Sequence, residues 1–339
     1  MARVLVLLTG GTLLMSARTA DDAGRGAITL GEQTGRDLLA EVPSLTRVAD
    51  LETRLLFNMD SADMGPSHWI TLARAVHAAL ESYDGIVVVH GTDSMAYSAS
   101  ALGLLLGPLS KPVVLTGAQR PLIEPRTDAR QNLIDATLVA TMDVPEVSVV
   151  MGAMALRGVR STKRDAWGFE AFDSPSCAPL VRLGIGVERA PHVRAAAASV
   201  APFDDRIEPR VLAVRVFPGL DPALIKGAVR AGVRGLVLEA YGSGNLPDSH
   251  DLIEALEEAR ARDVPVVVVS QCLKGYVDFG RYDGGARARE AGAISGGDMT
   301  VEAALAKLMI GLGRHGPGAA LRAYIARDEV GERQAATDA

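Results

Sequence analysis

Short runs of nearly unbroken Val, Leu and Ile recur along this chain: RVLVLL, GIVVVH, PVVLTG, EVSVVM, VLAVRVF, GLVLEA and PVVVVSQ. Each is bounded by Gly, Pro or polar turns. Side chains of a strand alternate between the two faces of its sheet, so a continuous apolar run must be covered on both sides. That is the environment of a parallel sheet wrapped by crossover helices. Longer stretches with helical spacing, such as SHWITLARAVHAALESY and DARQNLIDATLVATM, lie between the runs and supply the cover. The pattern predicts an α/β protein.

The alternation stops at VERAPHVRAAAASVAPFDDRIEP, which is Ala- and Pro-rich, mixed in charge and without a sustained apolar period. Such a composition suits a linker. The expected organisation is a larger N-terminal parallel-sheet domain with flanking helices over residues 1–187, a linker over 188–210, and a smaller C-terminal α/β domain over 211–327. About five strands precede the linker and about three follow it. The polar end DEVGERQAATDA, residues 328–339, is expected to fray.

Charge and cysteine usage narrow the function classes. The net charge is -6 and no Lys/Arg cluster stands out, which argues against a polyanion-binding surface. Two cysteines in 339 residues, Cys177 and Cys272, give no disulfide framework and suit a reducing compartment. The opening MARVLVLLTGG has too short an apolar run for a signal peptide and flows into a glycine turn, so it reads as the first strand. No run approaches the roughly 18–20 apolar residues that cross a bilayer. A cytoplasmic location is expected, with neither nucleic acid nor membrane as partner.

Ligands of parallel α/β sheets bind beyond the carboxyl ends of the strands, so the strand exits carry the functional argument. The first strand exits through Thr9, Gly10, Gly11 and Thr12, and the LLFNM strand through Asp60, Ser61 and Asp63. GIVVVH exits through His90, Gly91, Thr92 and Asp93, and PVVLTG through Thr116, Gln119 and Arg120. Any one of these turns has a structural reading. Glycines permit tight backbone paths, and Thr92 or Asp93 could cap the following helix. Four such exits in succession favour a small-molecule site.

The turn motifs match neither G-x-G-x-x-G nor the P-loop. The six histidines show no metal spacing, and there is no calcium-type loop and no G-x-S-x-G elbow. Threonine hydroxyls beside a carboxylate remain, and they need a base. Lys163 in RGVRSTKRDAWGFEAF is a candidate, with Arg157, Arg160 and Arg164 as neighbours that would favour its neutral form. Its structural reading is a solvated surface charge.

The segments TGGT, DSADM, HGTDSMAYSASAL, TGAQRPL, RSTKRDAWGFEAF, YGSGNLPD, SQCLKG and SGGDMTVEAALAKLM follow in the order found in bacterial-type L-asparaginases. The chain resembles that family over nearly its whole length, and its cytoplasmic type I branch most closely. The resemblance implies hydrolysis of L-asparagine to L-aspartate and ammonia without metal or cofactor. By motif, Thr12 is the nucleophile on a mobile loop, and Thr92, Asp93 and Lys163 form a second, rigid catalytic group. Gly11, Asp60, Ser61, Ala62, Gly91, Thr92, Asp93 and Ala118 are implied around the substrate, with Ser61 and Asp93 on its α-carboxylate and α-amino groups. Ala62 stands where a polar residue is common, so its contact would come from backbone amides. Amides near Gly91 or Ala118 would stabilise the oxyanion.

The resemblance also implies a homodimer or tetramer, in which Asn245 of one copy reaches the site of its neighbour. The acidic residue that secreted members use there has no clear counterpart. Thr162 and Cys272 are candidates for a regulatory amino-acid pocket, the alternative for Cys272 being a small buried side chain. One departure stands out: MSARTADDAGRGAITLGEQ lacks the tyrosine usual on the loop after TGGT. Either Tyr276 or Tyr282 takes its place, or Thr92 bears more of the attack. Glutamine hydrolysis is the near alternative, since one methylene gives only about 1–3 kcal/mol of discrimination. An amidotransferase subunit of the same fold is less favoured, because such subunits carry an extra N-terminal domain. A non-catalytic amino-acid sensor would account for the missing tyrosine.

Overall fold

The computed structural model describes residues 1–11, 13, 38–199 and 201–334. The chain divides into two compact units, Met1–Phe203 and Asp204–Ala339.

In the first unit the strands are β1 (Arg3–Gly10), β2 (Asp50–Met59), β3 (Gly85–Val89), β4 (Val113–Thr116), β5 (Val147–Met151), β6 (Met154–Arg157), β7 (Thr162–Lys163), β8 (Phe172–Asp173), β9 (Val181–Leu183) and β10 (Val187–Arg189). Its helices include α1 (Pro66–Ala79), α2 (Met95–Leu106) and α3 (Ala129–Val139). The main sheet has the order β10-β9-β6-β5-β4-β3-β1-β2. Strands β2, β1, β3, β4 and β5 are parallel, and β6, β9 and β10 extend the sheet antiparallel. The parallel strands form the expected sheet, and the short strands β6, β9 and β10 add an antiparallel extension at one edge. Strands β7 and β8 form a separate antiparallel pair.

Both faces of the sheet are covered, as the apolar runs require. Val4, Val6 and Leu8 of β1 share a core with Leu133 and Ala136 of α3, and the intervening Leu5 and Leu7 are equally buried. Helix α2 is buried nearly all round; its Ala, Ser and Gly residues suit close packing. Trp69 of α1 donates its indole N–H to Ser98 Oγ of α2 at 3.1 Å, so the one polar group of a buried ring finds a partner.

Strand order 2-1-3-4-5 places a topological switch between β1 and β3, where the chain turns from building one side of the sheet to building the other. Ligand crevices open at such points. The strand ends are level there: Leu8 pairs with Val89 and Val89 with Thr116.

The second unit carries β11 (Val211–Arg215), β12 (Gly235–Ala240), β13 (Val266–Ser270) and β14 (Ile294–Ser295) in one parallel sheet. Its helices are α4 (Pro222–Arg230), α5 (His250–Ala261), α6 (Asp283–Glu290), α7 (Val301–His315) and α8 (Ala319–Ala326). Leu236 and Leu238 pack with Ile225 of α4 and Leu256 of α5; Val237, Val267 and Val269 pack with Leu308 of α7 and Ile325 of α8. This is the period-two alternation of a doubly covered sheet.

The polar end departs from expectation. Asp328–Gln334 is tied down rather than frayed. Lys307 of α7 is fully buried and donates to the Arg327 carbonyl and the Glu332 carboxylate. That carboxylate, also fully buried, takes the amides of Glu329 and Val330 as well. A lone lysine on α7 thus needs a buried anion, and the chain end supplies it.

Candidate active site

Three strand exits meet at the switch point, where two of them lack side chains. Gly11 has φ +90°, and a Cβ there would lie 2.6 Å from the Gly91 backbone. A Cβ on Gly91 would lie 2.5 Å from Ser61 Oγ. Glycine at both positions lets the β1, β2 and β3 exits close on one another. Ser94 Oγ then donates to the Ser61 carbonyl at 2.5 Å, tying the β2 exit to the start of α2.

The capping reading of this turn does not hold. Ser94 is the N-cap of α2 and makes no side-chain cap, and Thr92 and Asp93 are turned elsewhere. Lys163 Nζ lies 2.9 Å from Thr92 Oγ1 and 2.6 Å from Asp93 Oδ1. Thr92 is buried, whereas the Asp93 side chain is 66% exposed and that of Lys163 19%. A hydroxyl, an amine and a carboxylate therefore form one hydrogen-bonded chain at the rim. The resting geometry has Lys163 donating to both neighbours.

Several expected residues do other work. Thr9 donates to the Val89 carbonyl at 2.9 Å and Thr116 to the Val150 carbonyl at 2.8 Å, so both hydroxyls lace neighbouring strands. Asp60 Oδ1 accepts the Ala62 amide at 2.9 Å and caps the turn Ser61–Asp63, which engages the amide expected to meet substrate. Ser61, Gly91 and Ala118 are buried at the rim. The arginines near Lys163 have partners of their own. Arg157 grips buried Glu146 with Nε and Nη2, and Arg164 bonds Asp173. Thr12 and the tyrosine-free segment 15–33 lie outside the described residues.

His90 is fully buried between β3 and this turn. Its Nδ1 is 2.7 Å from the Gly91 carbonyl, which can only accept, so Nδ1 carries the proton. Burial pushes the imidazole down to about 4, so it is neutral where the turn is formed.

Sequence reasoning left Gln119 without a role. Its Oε1 accepts from Thr92 Oγ1 at 3.2 Å, and its Nε2 donates to the Gly168 carbonyl at 3.1 Å. Its position on the β4 exit was visible; the approach of Gly168, forty-nine residues later, was not.

In the second unit Asn245 closes the turn after β12, its amide donating to the Tyr241 carbonyl at 2.8 Å. Thr162 lies on β7 of the first unit. Cys272 lies just beyond β13 in the second and is exposed in this chain, not the small buried side chain that was one expectation. Among the described residues, the cluster within mutual ligating reach is His250, Asp251 and Glu254, all exposed.

A hydroxyl, an amine and a carboxylate thus meet at the switch point of a parallel sheet, the side-chain types that hydrolysis of an amide through a hydroxyl nucleophile calls for. Residues 3–194 match the asparaginase N-terminal family and residues 210–325 the glutaminase/asparaginase C-terminal domain, so the chain belongs to the asparaginase family. It is similar to L-asparaginase 1 of Escherichia coli, at 40% identity over 74% of this chain and 75% of that one. The solved structure of the thermostable L-asparaginase from Thermococcus kodakarensis matches with a TM-score of 0.88 and 37% identity, covering 98% of this chain and 99% of that one. A glutamyl-tRNA(Gln) amidotransferase subunit of Pyrococcus abyssi is 37% identical over 91% of this chain and 72% of that one.

Proposed function

We propose that this protein hydrolyses L-asparagine to L-aspartate and ammonia through a threonine acyl-enzyme. The observation that carries the reading is the contact of Lys163 Nζ with both Thr92 Oγ1 and Asp93 Oδ1, at 2.9 and 2.6 Å. An amide resists direct attack by water, and a covalent ester divides one hard step into two easier ones. A threonine hydroxyl adds to the carboxamide carbon, and its proton passes through the base to the departing nitrogen, which leaves as ammonia. Water then adds to the ester, giving back the hydroxyl and releasing aspartate. Thr12 is assigned as nucleophile on its motif, with the Thr92–Asp93–Lys163 group as proton relay. Lys163 acts as a base once it is an uncharged amine, with Asp93 orienting it, as in the logic of Ser-His-Asp triads. Ser61 and Asp93 are assigned to the α-carboxylate and α-amino groups.

We infer a cytoplasmic homodimer or tetramer in which Asn245 completes a neighbour's site; two free cysteines suit that location, and no helix among the described residues is long and apolar enough to cross a membrane. Ammonia release from asparagine and from glutamine by wild type, Thr12→Ala and Thr92→Ala tests the reading. Asparagine is the preferred substrate, and either substitution lowers the rate at least about a hundredfold. Full activity in both variants contradicts the assignment.

A further inference from the structure

We propose that Gln119 is a positioning residue that sets the direction of the proton between Thr92 and Lys163. The inference rests on the reading above, in which Thr92 and Lys163 act together.

The orientation of the Gln119 carboxamide follows from its partners. The Gly168 carbonyl, 3.1 Å from Nε2, can only accept, so the nitrogen end faces Gly168 and the oxygen end faces Thr92. Thr92 Oγ1 has a single proton, and Gln119 Oε1 takes it at 3.2 Å. Lys163 Nζ, at 2.9 Å, must then donate to Thr92. The main chain of Gln119 is pinned as well. Its amide donates to both carboxylate oxygens of buried Asp128, at 3.1 and 3.0 Å. Buried Asn132 holds that carboxylate and the Gly117 carbonyl with one side-chain nitrogen, at 3.0 and 2.9 Å. A carboxamide fixed at both ends has no freedom to flip.

In this arrangement Lys163 donates to Thr92 and takes no proton from it. For Lys163 to accept a proton, the Thr92 hydroxyl must turn from Gln119 to Lys163, so Gln119 sets the poise of the pair. Charged groups on the surrounding segments are Asp93; Arg164, Asp165, Glu170 and Asp173 around β7 and β8; Arg120, Glu124, Arg126 and Asp128 beyond β4; and Asp60 and Asp63 beyond β2. All are present in wild type and in every variant below, so their contribution is common to the comparison.

Gln119→Met removes the acceptor, leaving the Thr92 proton to Lys163 and favouring the free amine. Gln119→Glu supplies a carboxylate acceptor and favours the ammonium. Two measurements on the full chain read this, after melting curves establish that each variant folds. One is the acidic limb of kcat/KM for L-asparagine. The other is the pH dependence of acetylation of Lys163 Nζ by acetic anhydride, followed by mass spectrometry without substrate. Gln119→Met moves both midpoints to lower pH by about half a unit, which is about a threefold gain in free amine at a fixed pH on the limb. Gln119→Glu moves them to higher pH by at least as much. The Gln119→Met shift in acetylation vanishes in a Thr92→Val background, because Gln119 acts through that hydroxyl. Midpoints that stay fixed, shifts of the same sign in both variants, or a shift that survives Thr92→Val would overturn the proposal. If the wild type releases no ammonia, the functional reading fails, and the acetylation midpoints still decide the role of Gln119. If Gln119→Glu does not fold, the Gln119→Met and Thr92→Val comparison decides it.

Discussion

Two lysine–carboxylate pairs in this chain show how burial assigns work to the same chemistry. Lys307 and Glu332 in the second unit are both wholly buried, whereas Lys163 and Asp93 in the first keep 19% and 66% of their side-chain surface open. Lys307 also lies 5.1 Å from the centroid of the Tyr324 ring, and Glu332 takes two main-chain amides besides the ammonium. Such a pair has no group left for a ligand and serves to fasten the chain end. Lys163 shares its hydrogens between a hydroxyl and a half-open carboxylate at a strand exit, where a substrate can join the network. The closed pair belongs to the fold, and the open pair is the one proposed for chemistry.

The sharpest way to break this contrast is to remove one partner of the closed pair. Lys307→Met strands the Glu332 carboxylate in the core and costs about 3–5 kcal/mol in denaturant unfolding of the protein. A loss below about 1 kcal/mol would show that the pair is not the fastening.

A buried titratable group beside the open pair gives a second test. His90 is neutral in the fold down to about 4, whereas an unfolded imidazole titrates near 6.5. Between those values the unfolded chain binds the extra proton, so this contribution is intact above pH 6.5 and is lost as pH falls toward 4. The shift corresponds to about 3 kcal/mol over that window. His90→Gln should flatten that part of the stability–pH curve; an unchanged slope would place the acid sensitivity elsewhere.

The open pair should behave in the opposite way to the closed one. Lys163→Met lowers kcat/KM for asparagine at least about a hundredfold. Its stability changes by no more than about 1 kcal/mol, as for exposed ion pairs. A variant that loses stability and keeps activity would invert the comparison. The smallest effect is expected from Ser94→Ala, which deletes the bond to the Ser61 carbonyl at a cost of about 1 kcal/mol. Because Ser61 is assigned to the substrate's α-carboxylate, that variant raises KM more than it lowers kcat.

How much of this was legible in the sequence depended on the reach of each signal. The β1, β3, β4, β5, β12 and β13 strands were visible because burial on both faces leaves continuous apolar runs, and the half-buried edge strand β11 was visible from its Val and Leu content. Strands β6, β9 and β10 were not, since three- and four-residue antiparallel strands with charged side chains have no such run. Thr92, Asp93 and Lys163 were singled out by residue type and motif. Thr9 and Thr116 resembled them in type, yet their hydroxyls bond main-chain carbonyls of adjacent strands. Gln119 and Glu332 owe their roles to partners distant in sequence, Gly168 and Lys307, and no local pattern announces those encounters.

A crystal structure of the protein with L-aspartate, the reaction product, tests the central claim most directly. The ligand should lie at the β1–β3 switch point, with its β-carboxyl against Thr92 Oγ1, its α-carboxylate at Ser61 and its α-amino group at Asp93. Aspartate bound away from Thr92, with Lys163 turned to solvent, would contradict the account.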